Sequence, residues 1–595
     1  MRSLFSVAVI GLLATSAVAQ DFDNQWKSFV KSPASLDAPT ISSPNIETDL
    51  DWADLDKDGW EDLVVVRKQP YTSVGKRTNL LLMNENGVLT DRTTQYASAS
   101  DIDAGFDTPT NDRDVVIADL DGDTWLDVIT ATTISDSDPK SVGHPRIYMN
   151  LGNDGGGNWL GLSHEDARIP QLIQYSSGLA RNPRFCSVDA ADIDGDGDMD
   201  LYFGDYDSSG AGGSGQPPNL DMNDRLLVND GNGFFTDQSQ TRMTDQMLLS
   251  AFSAAVSFDD MNGDGFVDLV KQTALQAPQY VAISYNNLNG LSGHGNYNSF
   301  DNNGVGSGAP YHIDTGDLNN DGKLDIITSD DGADRYRLQT GLDVLGRAEF
   351  SGGNGYSFLV GGDDGFASNN MIIDLNGDGW ADTIHADIDV DIPSNQRRMH
   401  IYHNTAPEVG AQPGDHVVLL EEREMASDNG WIGAKGLLEE DLEATHDFAV
   451  FDINLDGATD MVISRVDSTE VYLGAAPVCQ TDLGFGDGNV ELSICGDDLA
   501  LDGSTAIMAI TGGAPNSPVL LPVGLVNNPT SIAGGTLVPV PTLFILDVLV
   551  TDGNGNVELG VIGGGSPAAT LYVQAIVLDG GFDFSNALEV QAGNN

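Results

Sequence analysis

The chain has 595 residues, with 27 Lys and Arg against 90 Asp and Glu, a formal charge of -63, and 69 Gly. That negative surplus excludes nucleic acid and anionic membrane as partners, because long-range repulsion opposes both, and it leaves cations as the natural ones. Abundant Gly and Asp with only three Cys describe an all-β chain of strands and tight turns, not a helical or disulfide-stapled one.

Residues 1–20 carry Arg2, an apolar run from Leu4 to Leu13 and a small-residue exit at Ala17-Val18-Ala19-Gln20, the pattern of a cleaved secretory signal. A secreted or cell-surface location follows as an expectation. Val519 to Val526 and Val538 to Val550 are too short and too interrupted to span a bilayer, so no transmembrane segment is expected.

From residue 21 to 474 one nine-residue pattern, D-x-[DN]-x-D-G-x-x-D, returns seven times, starting at Asp54, Asp119, Asp192, Asp260, Asp317, Asp374 and Asp452. Successive starts are separated by 65, 73, 68, 57, 57 and 78 residues, room for four short strands but too little for an independent domain. A β-prone stretch leads into each loop (Val115-Val116-Ile117, Phe448 to Phe451) and another leads out (Leu63 to Val66, Met461-Val462-Ile463), predicting a hairpin. A third strand ending in Asn follows in most units, as at Leu80 to Asn84, Ile147 to Asn150, Leu226 to Asn229 and Ile401 to Asn404. Four antiparallel strands repeated seven times predict a seven-bladed β-propeller. The last unit lacks an outer strand, which the segment around Trp26 to Val30 can supply, leaving no open edge.

Residues 475–595 contain no Lys or Arg, and this shift marks a second domain. Its strand candidates (Val490 to Ile494, Ala506 to Ile510, Val519 to Val526, Leu543 to Val550, Thr570 to Leu578) predict a small β-sandwich, with a possible role in sorting or attachment. Cys479 and Cys495 can pair there after export, whereas Cys186 reads as a small buried residue.

The loops have the chemistry of calcium sites. Calcium takes six to eight oxygens in irregular geometry, and positions 1, 3, 5 and 9 of each loop offer them. They are Asp54, Asp56, Asp58 and Asp62, with the Trp60 carbonyl at position 7; Asp119, Asp121, Asp123 and Asp127; Asp192, Asp194, Asp196 and Asp200; Asp260, Asn262, Asp264 and Asp268. The series continues with Asp317, Asn319, Asp321 and Asp325; Asp374, Asn376, Asp378 and Asp382; Asp452, Asn454, Asp456 and Asp460. Up to seven Ca2+ ions are expected, held more weakly where Asn replaces Asp. Thr124 stands where the other loops have Gly at position 6, which questions the geometry of the second loop. An EF-hand is excluded, since position 12 holds Val65, Thr130, Phe203, Lys271, Thr328, His385 and Ile463 and never Glu.

These loops resemble the FG-GAP/VCBS repeats of integrin-α-like propellers over roughly residues 45 to 475. The resemblance implies extracellular recognition or adhesion with structural calcium, and the tail is similar to C-terminal β-domains of exported bacterial surface proteins. The expected partner is a glycan or protein, and the expected state is a monomer. Basic residues cluster after the second strand of the units (Arg67, Lys68, Lys76, Arg77, Lys140, Arg146, Lys271, Arg335, Arg337, Arg397, Arg398, Arg465). They suggest a less negative face that could receive an acidic glycan. The alternative is a propeller-type polysaccharide lyase or hydrolase, which needs a cleft with clustered acids, His, Tyr, Arg or Lys. His400 and His403, three apart on a strand, are poorly placed as a metal pair.

Overall fold

The computed structural model describes residues 29–69, 75–133, 138–205, 222–244, 247–249, 256–272, 281–286, 295–297, 300–301, 310–330, 334–351, 354–356, 369–386, 398–407, 411–422, 425–426, 430–431, 442–474, 478–486, 490–496, 499, 505–532, 535–551, 555–562 and 569–592. The expected signal, Trp26 and Arg397 lie outside them. Lys27–Ala475 forms one compact unit, and Ala476–Asn595 belongs to a second.

Among its described residues the first unit contains seven four- or five-stranded sheets, each with one aspartate loop joining the two strands of a hairpin. In chain order the loop-bearing hairpins are Glu47–Ala53 with Asp62–Lys68, Asp112–Ala118 with Asp127–Thr132, Phe185–Ala191 with Asp200–Asp205, and Val256–Asp259 with Asp268–Gln272. Pro310–Gly316 with Asp325–Asp330, Asn369–Ile373 with Asp382–Ala386, and Thr445–Phe451 with Asp460–Arg465 complete the set. The third strands include Leu80–Asn84, Arg146–Asn150, Arg225–Asn229 and Met399–Asn404, ending on the Asn residues marked in the sequence. Phe29–Lys31 completes the seventh sheet by pairing antiparallel with Thr469–Gly474.

The second strand of the first sheet carries an unbroken apolar run, Leu63 to Val66, because both of its faces are covered. Leu63 and Val65 pack with Ala449, Phe451 and Val462 of the seventh sheet, while Val64 and Val66 pack with Val115, Val128 and Tyr148 of the second. The alternation of side chains along a strand therefore divides each sheet's apolar residues between its two neighbours. The same sharing joins the second sheet to the third, the third to the fourth, the fourth to the fifth and the fifth to the sixth.

Inner strands are tied by carboxylates. Asp49 accepts the N–H of Val115 at 3.1 Å, Asp114 that of Val188 at 2.6 Å, Asp189 that of Phe258 at 2.7 Å, and Asp314 that of Ile372 at 2.6 Å. Asp259 accepts the Thr315 hydroxyl, Asp447 accepts the Asn369 amide, and Asp447 also accepts the N–H of Leu50 at 2.6 Å. The succession returns to its first member, an arrangement like that of a β-propeller.

In the second unit, a four-stranded sheet that includes Glu491–Gly496, Thr505–Thr511 and Val557–Ile562 and a five-stranded sheet that includes Pro518–Gly524, Ala569–Val577 and Asp583–Ala592 share one core. Glu491–Gly496 and Val557–Ile562 flank Thr505–Thr511 on its two edges. Cys479 stands opposite Cys495 in antiparallel register. Among the described residues, no helix is long and apolar enough to cross a membrane.

Candidate metal centre

All seven loops adopt one backbone form. Position 4 has positive φ throughout (Lys57, Gly122, Gly195, Gly263, Asn320, Gly377, Leu455), and so does position 6. Thr124 takes the left-handed conformation with φ 75°, so the second loop keeps the common geometry despite lacking Gly. Its N–H donates to Asp119 as the Gly59 N–H donates to Asp54.

The carboxylates serve two different purposes. Position 1 oxygens accept loop N–H groups, as Asp54 does from Asp58 and Gly59, at 3.0 Å each. Position 5 accepts the N–H of position 7, as Asp58 does from Trp60 at 2.9 Å. Position 9 turns inward: Asp62 accepts the Leu55 N–H at 3.1 Å and the Asn84 N–H at 2.9 Å, fastening the loop to the third strand. Asp127, Asp268, Asp325, Asp382 and Asp460 repeat this double acceptance.

Burial raises the carboxyl pKa at position 9 well above the usual carboxylate range, to about 8 at Asp62 and Asp268 and about 7 at Asp127, Asp200 and Asp325. Burial, then the neighbouring Asp58 charge, pushes Asp56 up to about 6. Gathered carboxylates of this kind repel one another unless a cation joins them.

Three loops bring three carboxylates together, with one oxygen from each within 4.8 Å of the others, and could hold a metal ion: Asp54, Asp56 and Asp58; Asp119, Asp121 and Asp127; Asp192, Asp194 and Asp196. Asp62, Asp123 and Asp200 stand outside these trios. Asp121 Oδ1 and Asp194 Oδ1 are buried without a hydrogen-bond partner. A hard cation supplies what such oxygens lack, and an all-oxygen donor set suits calcium.

The last four loops form no three-carboxylate group among the described residues. Asn262, Asn376 and Asn454 each donate their amide to the position 5 carboxylate, Asp264, Asp378 and Asp456, at 3.0 to 3.1 Å. In the fifth loop, Asp321 lies 2.8 Å from Lys323 and 3.0 Å from His416, and the Lys323 ammonium competes with a metal for it.

The third-strand Asn is a feature whose role the pattern concealed. Asn84 donates its side-chain amide to the Ile453 carbonyl, Asn150 to Leu55, Asn229 to Leu120, Asn286 to Ile193 and Asn404 to Leu318. Each acceptor is position 2 of the preceding sheet's loop. Recurrence of Asn at one frame was the available signal.

Several basic residues expected on an open face are elsewhere. Lys271 and Arg146 are fully buried, the first paired with Asp224 and the second 2.9 Å from Asp103. Arg67, Lys68 and Arg398 are buried too. His385, buried and held neutral with its pKa down at about 3, meets Ser329 Oγ and Asp334 through the same nitrogen, Nδ1. That is no proton relay, which needs the two partners on opposite ring nitrogens. His400 pairs with Glu422 at 2.6 Å whereas His403 reaches toward Asn376. Cys186 is buried, which raises its thiol pKa and makes it a poor nucleophile.

A family model described as FG-GAP-like repeat matches residues 54–130, the first two loops. No curated protein matches the chain in sequence. Among solved structures, the chain is similar to an Agrocybe aegerita lectin recognising non-reducing terminal N-acetylglucosamine (14% identity, 71% of this chain and 86% of that one, TM-score 0.37). It is also similar to an exo-β-1,3-galactanase from Phanerochaete chrysosporium (10%, 80% and 95%, 0.27) and to Trypanosoma rangeli sialidase (10%, 86% and 91%, 0.30).

Proposed function

We propose that the seven sheets are blades of one closed propeller, that its loops hold up to seven calcium ions as structural staples, and that the protein acts outside the cell in adhesion or recognition of a glycan or protein. The carrying observation is the loop itself: one backbone form, seven times over, with three carboxylates converging in three of the copies. Calcium binding at such loops is linked to folding, because the crowded carboxylates lose their mutual repulsion only when the ion is present.

The test is metal analysis of protein purified in calcium, followed by thermal melting with calcium, magnesium or a chelator. Calcium should co-purify, chelation should lower the melting temperature by about 10 °C or more, and equal magnesium should not restore it. Absence of bound calcium together with an unchanged melt would sink the reading. A panel of glycans and proteins, read both for binding and for product release, tests recognition; product release would establish the lyase or hydrolase alternative instead.

A further inference from the structure

The third strands share a frame, set by the residue whose N–H reaches the position 9 carboxylate: Asn84, Asn150, Asn229, Asn286, Gln339, Asn404 and Gly474. Four residues earlier stand Leu80, Arg146, Arg225, Ala282, Arg335, His400 and Glu470. The charged members of this series have partners: Arg146 with Asp103 at 2.9 Å, Arg225 with Asp237 at 3.2 Å, His400 with Glu422 at 2.6 Å, and Glu470 with Lys31.

Arg335 breaks the series. Among the described residues, its guanidinium meets no carboxylate and no hydrogen-bond acceptor, and its Nε is buried and unpartnered. Two positions on, Arg337 lies on the same side of the strand. Its guanidinium contact is one hydrogen bond to the Ser351 carbonyl at 3.0 Å, and its Nε is likewise buried without a partner. Both arginines are half-buried. Their cross-strand neighbours are Thr328 and Ile326, and Ile326 packs with Val270 and Ile283 of the fourth sheet, so the pair faces that sheet. Two adjacent cations with no counter-charge among the described residues are an expensive arrangement.

We propose that Arg335 and Arg337 form a receptor for a carboxylate of an acidic glycan, a uronic acid. The class follows from the frame: at the two other arginine positions the guanidinium is satisfied by an Asp carboxylate, and among the described residues no such group meets Arg335. A guanidinium binds a planar carboxylate through two parallel bonds. A uronic acid fixes its carboxylate on a rigid ring, and so loses less freedom on docking than an acidic side chain of a peptide. The glycan assignment rests on the recognition reading above; the anion site does not.

The test uses the full chain with calcium present and a galacturonic acid trisaccharide as probe, measured by calorimetry. Arg335→Gln and Arg337→Gln should each weaken binding tenfold or more without lowering the melting temperature, since neither removes an ion pair. Arg347→Gln, whose partner is Asp343, should bind as the parent does. Equal binding by all variants would overturn the site while leaving recognition intact, as would binding of neutral glycans alone. Arginine-dependent binding of a hexaglutamate peptide with none of the trisaccharide would overturn the glycan assignment. Failure to bind anything across the glycan and protein panel would overturn the recognition reading as well.

Discussion

The Asp447 carboxylate accepts the Leu50 backbone N–H at 2.6 Å, joining inner strands that are 397 residues apart in sequence. The same side chain accepts the Asn369 amide and its own strand's Phe448 N–H. Asp447→Ala removes all three acceptances and should destabilise the first unit by about 1–3 kcal/mol, read as a lower urea midpoint. Asp447→Asn keeps an acceptor and should be milder; an alanine variant as stable as the parent would show that this contact does not hold the sheets together.

The inner carboxylates also predict a pH dependence. Burial raises Asp51, Asp189, Asp314 and Asp447 to about 7 and Asp114 to about 6, and Asp49 is raised well above the usual range by burial and then by Asp447 and Asp114. The folded state therefore binds protons that an unfolded chain, titrating near 4, releases. Their stabilising contribution is full below about pH 4 and is lost as pH rises to about 7. At fixed saturating calcium the urea midpoint should be higher at pH 5.5 than at pH 8, and Asp114→Asn should flatten the difference. A midpoint that rises with pH would contradict the assignment.

Position 9 and position 5 of a loop should fail differently. Asp62→Asn presents an amide NH2 to one of two backbone donors, Leu55 or Asn84, and should cost about 1–3 kcal/mol even in chelator. Asp58→Asn keeps an oxygen for the Trp60 N–H and should be nearly silent in chelator, lowering stability only when calcium is added. Melts of the two variants with and without calcium distinguish these outcomes.

Lys271 is fully buried against Asp224, with Tyr202 Oη at 3.0 Å and the Met247 carbonyl at 2.8 Å. Lys271→Met strands the Asp224 charge and should destabilise the unit by about 3–5 kcal/mol. Chemical denaturation at neutral pH measures it, and recovery in an added Asp224→Asn change would confirm the cause.

Local grammar made the hairpins legible: Val115 to Ile117 and Leu63 to Val66 lie in the strands their alternation and apolar runs imply, and the Asp/Gly spacing located every loop. Sequence could not show that Asp62 and its counterparts are occupied by two backbone donors, because a ligand and a clasp are both written Asp. Nor could it separate Lys271 and Arg146, which are sealed inside, from Arg335, which meets no acid among the described residues. That difference depends on which acids arrive from distant segments, as Asp224 does at Lys271 and Asp103 at Arg146. Phe29–Lys31 was partly readable, since an incomplete seventh unit demands an outside strand, but its register with Thr469–Gly474 is set by packing.

The asparagine bridges make the loops a belt in which each clasp grips the one before it. Gln339 and Gly474 occupy the bridging place in the fifth and seventh sheets, and among the described residues neither sends a side-chain amide to the loop behind. The belt accordingly has two seams, between sheets four and five and between sheets six and seven, dividing it into a long arc and a short one. On the proposed reading of a closed, calcium-loaded propeller, withdrawal of the ions would open it at those seams first, and the two arcs would separate as bodies before either lost its own strands.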